Sequence, residues 1–108
     1  MKHFNPQELK AYLDSLEPSA HPLLLDVREP WEFQICQIPG SQLIPMRQIP
    51  NQVGVLNPDQ EIVIICHRGN RSRQVGYFLE QYGFNRLINL DGGVLAWARD
   101  VDPQMPTY

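Results

Sequence analysis

Ile62-Val63-Ile64-Ile65 is an unbroken run of β-branched residues, and it predicts a strand buried on both faces. The run stops on Cys66. A short loop follows, and then Val75, Phe78, Leu79 and Tyr82 recur at helical spacing. They predict a helix from about Ser72 to Tyr82, with Gly83 as its stop. Near the start of the chain, Leu9, Tyr12, Leu13 and Leu16 share one helical face. Asn5 is the predicted cap of that helix, Pro6 suits its first position and Glu8 completes a capping box. Pro18 ends it. Leu23 to Val27 is apolar except for Asp26 and predicts a second buried strand. Glu29 to Phe33, with Pro30 at a helix start, predicts one or two turns, and Ile38 to Ser41 a reverse turn. Leu43-Ile44 reads as a short strand. Arg47 to Leu56, broken by Pro50 and Gly54, reads as a short irregular helix, and Asn57 to Gln60 as a turn. Arg86 to Leu90 predicts another strand, Asp91-Gly92-Gly93 a turn, and Val94 to Arg99 a helix with Trp97 buried. Gly76 costs its helix about 1 kcal/mol relative to alanine, which suggests close approach to a neighbouring strand. Strands alternating with helices predict an α/β fold, with a mainly parallel central sheet of about five strands and helices on both faces.

Length and composition narrow the setting. A chain of 108 residues is expected to be one domain, 1–108, with its core at about 5–99. Residues 100–108 form a proline-rich tail with no core pattern. The net charge of −3 argues against a nucleic-acid partner. The two cysteines, Cys36 and Cys66, are spaced for neither a zinc site nor a C-x-x-C redox pair. Two reduced thiols in a cytoplasmic protein are expected. The first residues lack the apolar core of a secretory signal, and no run approaches the ~20 apolar residues of a membrane span. Neither membrane association nor a cofactor or metal is expected.

The loop after the central strand changes the picture from fold to chemistry. Cys66 ends a buried strand and faces the start of a helix, where α/β folds place their sites. It is the predicted nucleophile. The thiolate is the reactive form of cysteine, and converging loop N–H groups with the positive end of the following helix would stabilise it. Arg68, Arg71 and Arg73 fall within eight positions with no acid among them, in a protein of net negative charge. That inversion suits a small dianionic substrate. Gly69 lets the backbone curl and leaves room for a ligand. Alone, Cys66 would read as a small buried hydrophobe. The arginine-rich loop favours the functional reading.

Cys66-His67-Arg68-Gly69-Asn70-Arg71-Ser72 resembles the active-site loop of the rhodaneses, the thiosulfate sulfurtransferases, whose usual pattern is C-x-x-G-x-R-S. Leu24 to Phe33 is similar to the family's amino-terminal motif, Ile38-Pro39-Gly40-Ser41 to its turn, and Leu90 to Trp97 to its carboxy-terminal motif. These matches occur in order over most of the chain and resemble a single-domain, stand-alone member. Where the family commonly has Gly-His before the turn, this chain has Cys36-Gln37.

The resemblance implies ping-pong sulfur transfer through a Cys66 persulfide, from a small-molecule sulfur donor such as thiosulfate to cyanide or a thiol. A protein thiol is a further possible partner. His67, Arg68, Gly69, Asn70, Arg71 and Ser72 would form the substrate-binding loop, with Arg68 and Arg71 stabilising substrate charge. Arg71 has a second expected role, pairing with Asp26 to hold the loop's shape, and Asp26 is a supporting residue. His67 is expected as a pocket wall, with proton relay as the alternative. Arg28 is assigned to a structural ion pair. Cys36 is expected to be a buried small residue, with a resolving-thiol role as the alternative.

Three rival readings follow from the same residues. Cysteine phosphatases place five residues between cysteine and arginine, whereas Ser72 stands at that position here, so the loop to Arg71 is one residue shorter. A non-catalytic docking module would commonly lack the cysteine. A persulfide carrier fed by a desulfurase would use the same half-reaction.

Overall fold

The computed structural model describes residues 1–108. Its sheet has five strands: β1 (Lys2–Phe4), β2 (Leu23–Asp26), β3 (Gln42–Leu43), β4 (Ile62–Ile65) and β5 (Leu87–Leu90). They lie in the order β1-β5-β4-β2-β3, and every pairing is parallel. The β-branched run is the central strand. Ile62 to Ile65 pair with Leu23 to Asp26 on one side, and Ile62 to Ile64 with Leu87 to Asn89 on the other.

Alternation along β4 divides the core in two. Val63 and Ile65 join Leu9 and Leu13 of α1 (Pro6–Asp14) and Val94, Trp97 and Ala98 of α5 (Gly93–Asp100). Ile62 and Ile64 point to the other face. They pack with Val75 and Leu79 of α4 (Asn70–Glu80) and Ile49 of α3 (Ile49–Gln52). The remaining helix, α2, spans Pro30–Ile35. The expected α/β architecture, a parallel sheet with helices on both faces, is the one observed.

Local signals worked where they were chemical. The Asn5 side chain accepts from the Glu8 backbone N–H, and the Glu8 side chain accepts from the Asn5 N–H, so the capping box is complete. Helix α4 begins at Asn70, two residues before the expected start, because Gly69 caps it in the left-handed region at φ 99°. At Gly76 a methyl group would meet the Met1 side chain and Ile64 Cδ1. The close approach includes the neighbouring strand β4, but the Met1 thioether is the nearer obstacle.

Two segments depart from expectation. Lys2–Phe4, to which the hydrophobic pattern assigns no element, forms the edge strand β1 against β5. Residues after Arg99, read as a tail without core pattern, pack onto the domain. Met105 is buried in the cluster of α1 and α5, and Tyr108 packs against it.

Candidate active site

Cys66 emerges from β4 on the α4 side, in the cluster of Ile62 and Ile64. The chain must turn at once to enter α4. Gly69 makes that turn at positive φ, and a side chain there would press on the backbone of Gly92 and Leu90. The turn aims the Gly69 N–H at Cys66 Sγ, 3.0 Å away. Ser72, fully buried in the first turn of α4, brings its Oγ to 3.3 Å from the same sulfur. The thiol therefore sits at the positive end of an eleven-residue helix, with one backbone donor and one hydroxyl in contact.

The loop is also held from behind. The first turn of α5 donates from the Val94 N–H to the Cys66 carbonyl at 2.9 Å, and from the Leu95 N–H to the His67 carbonyl at 3.1 Å. Gly93 makes this possible: a Cβ there would run into the carbonyls of Cys66 and His67. Buried Asn89 on β5 donates from Nδ2 to the Gly69 carbonyl at 3.4 Å and to Asp91 Oδ1 at 2.8 Å. Its Oδ1 is buried with no partner.

Cys66, His67, Arg68, Asn70 and Arg71 line a cavity of about 290 Å³. Arg68 and Asn70 are exposed at its rim. Thus five of the eight residues singled out by sequence surround one cavity, and Gly69 and Ser72 contact the sulfur at its base. Asp26 is not among the lining residues.

The expected Asp26–Arg71 pair does not form. Asp26 accepts Arg28 Nε at 2.9 Å and Arg28 Nη2 at 2.8 Å, and both side chains are fully buried. This is the structural ion pair expected of Arg28. Burial opposes the Arg28 charge, but its hydrogen bonds to Asp26 and Tyr108 outweigh that and raise its pKa. Arg71 instead makes a two-armed pair with Glu32 of α2, 2.7 Å on each arm. The physical reason is competition: Arg28 lies two residues from Asp26 and saturates its carboxylate, leaving Glu32 as the acid facing Arg71.

Glu32 is the hub of the surrounding network. It is buried, and it accepts Arg71, the Glu29 N–H at 2.9 Å and the Tyr108 hydroxyl at 2.9 Å. The Arg71 bonds hold its carboxyl down at about 2, against the opposing effect of burial. Tyr108 OH in turn accepts from Arg28 Nη1 at 3.0 Å. Burial, with Glu32 assisting, pushes the Tyr108 phenol up to about 12. The His67 ring stacks on Tyr108, with centroids 4.1 Å apart and planes 12° apart, and its Nε2 lies 3.0 Å from the Tyr108 main-chain oxygen. Burial lowers the His67 pKa against the opposing pull of the Tyr108 main-chain oxygen, and Arg68 and Arg71 add to the lowering. His67 thus lines the cavity and is held by a residue that does not line it.

Sequence reasoning missed Glu32, Tyr108 and Asn89. Glu32 fell within a quoted motif, but no spacing pointed to Arg71, thirty-nine positions away. Tyr108 lay in a stretch without periodicity.

A family model described as the rhodanese-like domain matches residues 5–100. The chain belongs to the rhodanese-like family. This rhodanese-like domain is 42% identical over 77 residues to a sulfurtransferase of Allochromatium vinosum, an alignment covering 71% of this chain and 72% of that one. It is 38% identical over 105 residues to the probable adenylyltransferase/sulfurtransferase MoeZ of Mycobacterium tuberculosis. That alignment covers 95% of this chain but spans only 26% of the length of MoeZ. A rhodanese-like domain protein from Staphylococcus aureus superposes with a TM-score of 0.82 at 32% identity, over 100% of this chain and 99% of that one. No helix is long and apolar enough to cross a membrane.

Proposed function

We propose that this rhodanese-like domain is a sulfurtransferase that carries sulfane sulfur on Cys66. The observation that supports it best is the Cys66 sulfur at the base of the cavity, with the Gly69 N–H 3.0 Å away and Arg68 and Arg71 on the walls. The Cys66 thiolate attacks the outer sulfur of thiosulfate. A bond forms from Cys66 to that sulfur, the S–S bond of thiosulfate breaks, and its electron pair leaves with sulfite. The product is a Cys66 persulfide anion. Loop N–H groups and the start of α4 stabilise its terminal charge. Cyanide or a thiol then attacks the outer persulfide sulfur, and the Cys66 thiolate returns. Neither half-reaction requires a general base or a cofactor, because the nucleophile enters and leaves as an anion.

The roles of the surrounding residues follow. Exposed Arg68 attracts the dianion. Arg71, tied to Glu32, provides directional N–H groups and a wall of fixed shape. Asp26 acts at a distance, by neutralising Arg28 beneath α2. The two free thiols suit a reducing compartment such as the cytoplasm.

A steady-state assay of thiocyanate formation from thiosulfate and cyanide tests the reading. Parallel lines in double-reciprocal plots and complete loss in Cys66→Ser are the expected results. Thiocyanate formation that survives Cys66→Ser would contradict them. The similarity to part of MoeZ, by its name a sulfurtransferase joined to an adenylyltransferase, favours a second reading, a carrier that exchanges sulfur with a protein partner. It uses the same Cys66 chemistry, and thiosulfate would then be a poor donor.

A further inference from the structure

We propose that Tyr108 is a positioning residue of the Cys66 cavity, fixing the His67 wall with its ring and main-chain oxygen and orienting Arg71 through Glu32 with its hydroxyl. The proposal rests on sulfur transfer at Cys66 as the function of the site. Tyr108 does not line the cavity; it touches two residues through which the cavity is built.

Three independent contacts place it. The ring covers His67 face to face at 4.1 Å, and the exposed Trp31 meets the Tyr108 ring edge-on at 5.8 Å. Its main-chain oxygen meets His67 Nε2 at 3.0 Å. The hydroxyl accepts from buried Arg28 and donates to Glu32 Oε1, the same oxygen that receives one arm of Arg71. Rotating the Glu32 carboxylate would break a bond to Tyr108 and misalign both arms of Arg71. Tyr108 therefore connects the rigid Asp26–Arg28 pair to a cavity wall.

The approach of the chain to Tyr108 is stiff. Asp102 N–H bonds the Trp97 carbonyl, Met105 is buried in the core, and only Pro106 and Thr107 separate it from Tyr108. Pro103 and Pro106 reduce the freedom of the unfolded segment. The proline content that marked this stretch as a tail makes it a strap.

The groups around the His67 ring are Arg68 of the loop, Arg71 of α4, Glu32 of α2 and Tyr108 itself. Burial, the largest effect, and both arginines disfavour the imidazolium, whereas the Tyr108 main-chain oxygen and Glu32 favour it; the balance holds the His67 pKa below its ordinary value. Removing the ring should re-expose it to water and raise its titration midpoint.

The test combines an NMR titration of the His67 ring with steady-state kinetics on thiosulfate, for the wild type, Tyr108→Phe and Tyr108→Ala. Thermal melts confirm folding, and Tyr108→Phe keeps the ring. In the wild type and Tyr108→Phe, His67 should titrate below an ordinary histidine, and in Tyr108→Ala its midpoint should move up. Tyr108→Phe should raise KM for thiosulfate roughly tenfold with kcat nearly unchanged, since it removes a hydrogen bond to a charged group. An unchanged His67 midpoint in Tyr108→Ala, or a wild-type KM in Tyr108→Phe, would overturn the proposal. If the wild type forms no persulfide, the sulfur-transfer reading fails on its own, and the titration alone decides whether Tyr108 holds His67.

Discussion

Arg71 and Glu32 form a two-armed ion pair, 2.7 Å on each arm, that ties the first turn of α4 to α2. Glu32 is buried and Arg71 is about one-third exposed, so the pair spans the boundary between core and cavity. Such a pair fixes the guanidinium plane beside the loop, at the cost of part of its free charge.

The pair makes stability acid-sensitive. Glu32 titrates at about 2 in the fold, against 4.5 ordinarily. Its contribution is complete above 4.5 and is lost as pH falls toward 2, a total on the order of 3 kcal/mol. Glu32→Gln should lower stability at pH 7 by about 2–4 kcal/mol and flatten the loss below pH 4.5. Urea denaturation from pH 7 to pH 2.5 measures both. Parallel pH profiles for the two proteins would contradict the assignment.

Gly93→Ala should damage the site more than the fold. The added methyl group would press on the Cys66 and His67 carbonyls, which belong to backbone and cannot swing away. Displacing the loop moves the Gly69 N–H off the sulfur. A loss of about 100-fold in kcat/KM is expected, since errors near 1 Å in a reacting group cost that much. Circular dichroism should still report a folded domain. Wild-type turnover in this variant would show that α5 does not support the loop.

Arg68 carries the exposed charge of the cavity rim. Arg68→Ala should raise KM for thiosulfate about tenfold and reduce its dependence on salt, because exposed attraction is screened over roughly 10 Å at 0.1 M. Initial rates at several ionic strengths provide the comparison. Equal salt slopes in the wild type and the variant would remove Arg68 from substrate attraction.

Cys36 sits in the core cluster of α1 and α5, while Cys66 belongs to the cluster of α4. Arg28 Nη1 points at Cys36 Sγ from 3.7 Å, and Arg28 Nη2 holds its carbonyl at 2.6 Å. This is the environment of a packed small residue. Cys36→Ser should leave turnover and the pattern of peroxide oxidation at Cys66 unchanged. Loss of a disulfide species in the variant would restore the resolving-thiol alternative.

The elements that carry the site were legible where a short segment contains its own reason to fold. Ile62 to Ile65 needs burial on both faces, Asn5 and Glu8 cap their own helix, and the loop from Cys66 to Ser72 closes on its own sulfur. What escaped depends on partners distant in sequence. Strand β1 is three residues with one apolar side chain, and it exists because β5 offers an open edge. Arg71 pairs with Glu32 because Arg28 already occupies Asp26, a competition invisible in spacing. Met105 and Tyr108 are single anchors in a proline-rich stretch, where periodicity has nothing to detect.

The central claim is that Cys66 becomes a persulfide. Intact-mass analysis of the reduced protein after thiosulfate treatment tests it most directly. The account predicts a gain of one sulfur atom, located on the peptide containing Cys66, absent from Cys66→Ser, and removed by cyanide with release of thiocyanate. An unchanged mass with thiosulfate and with small persulfide donors alike would contradict it.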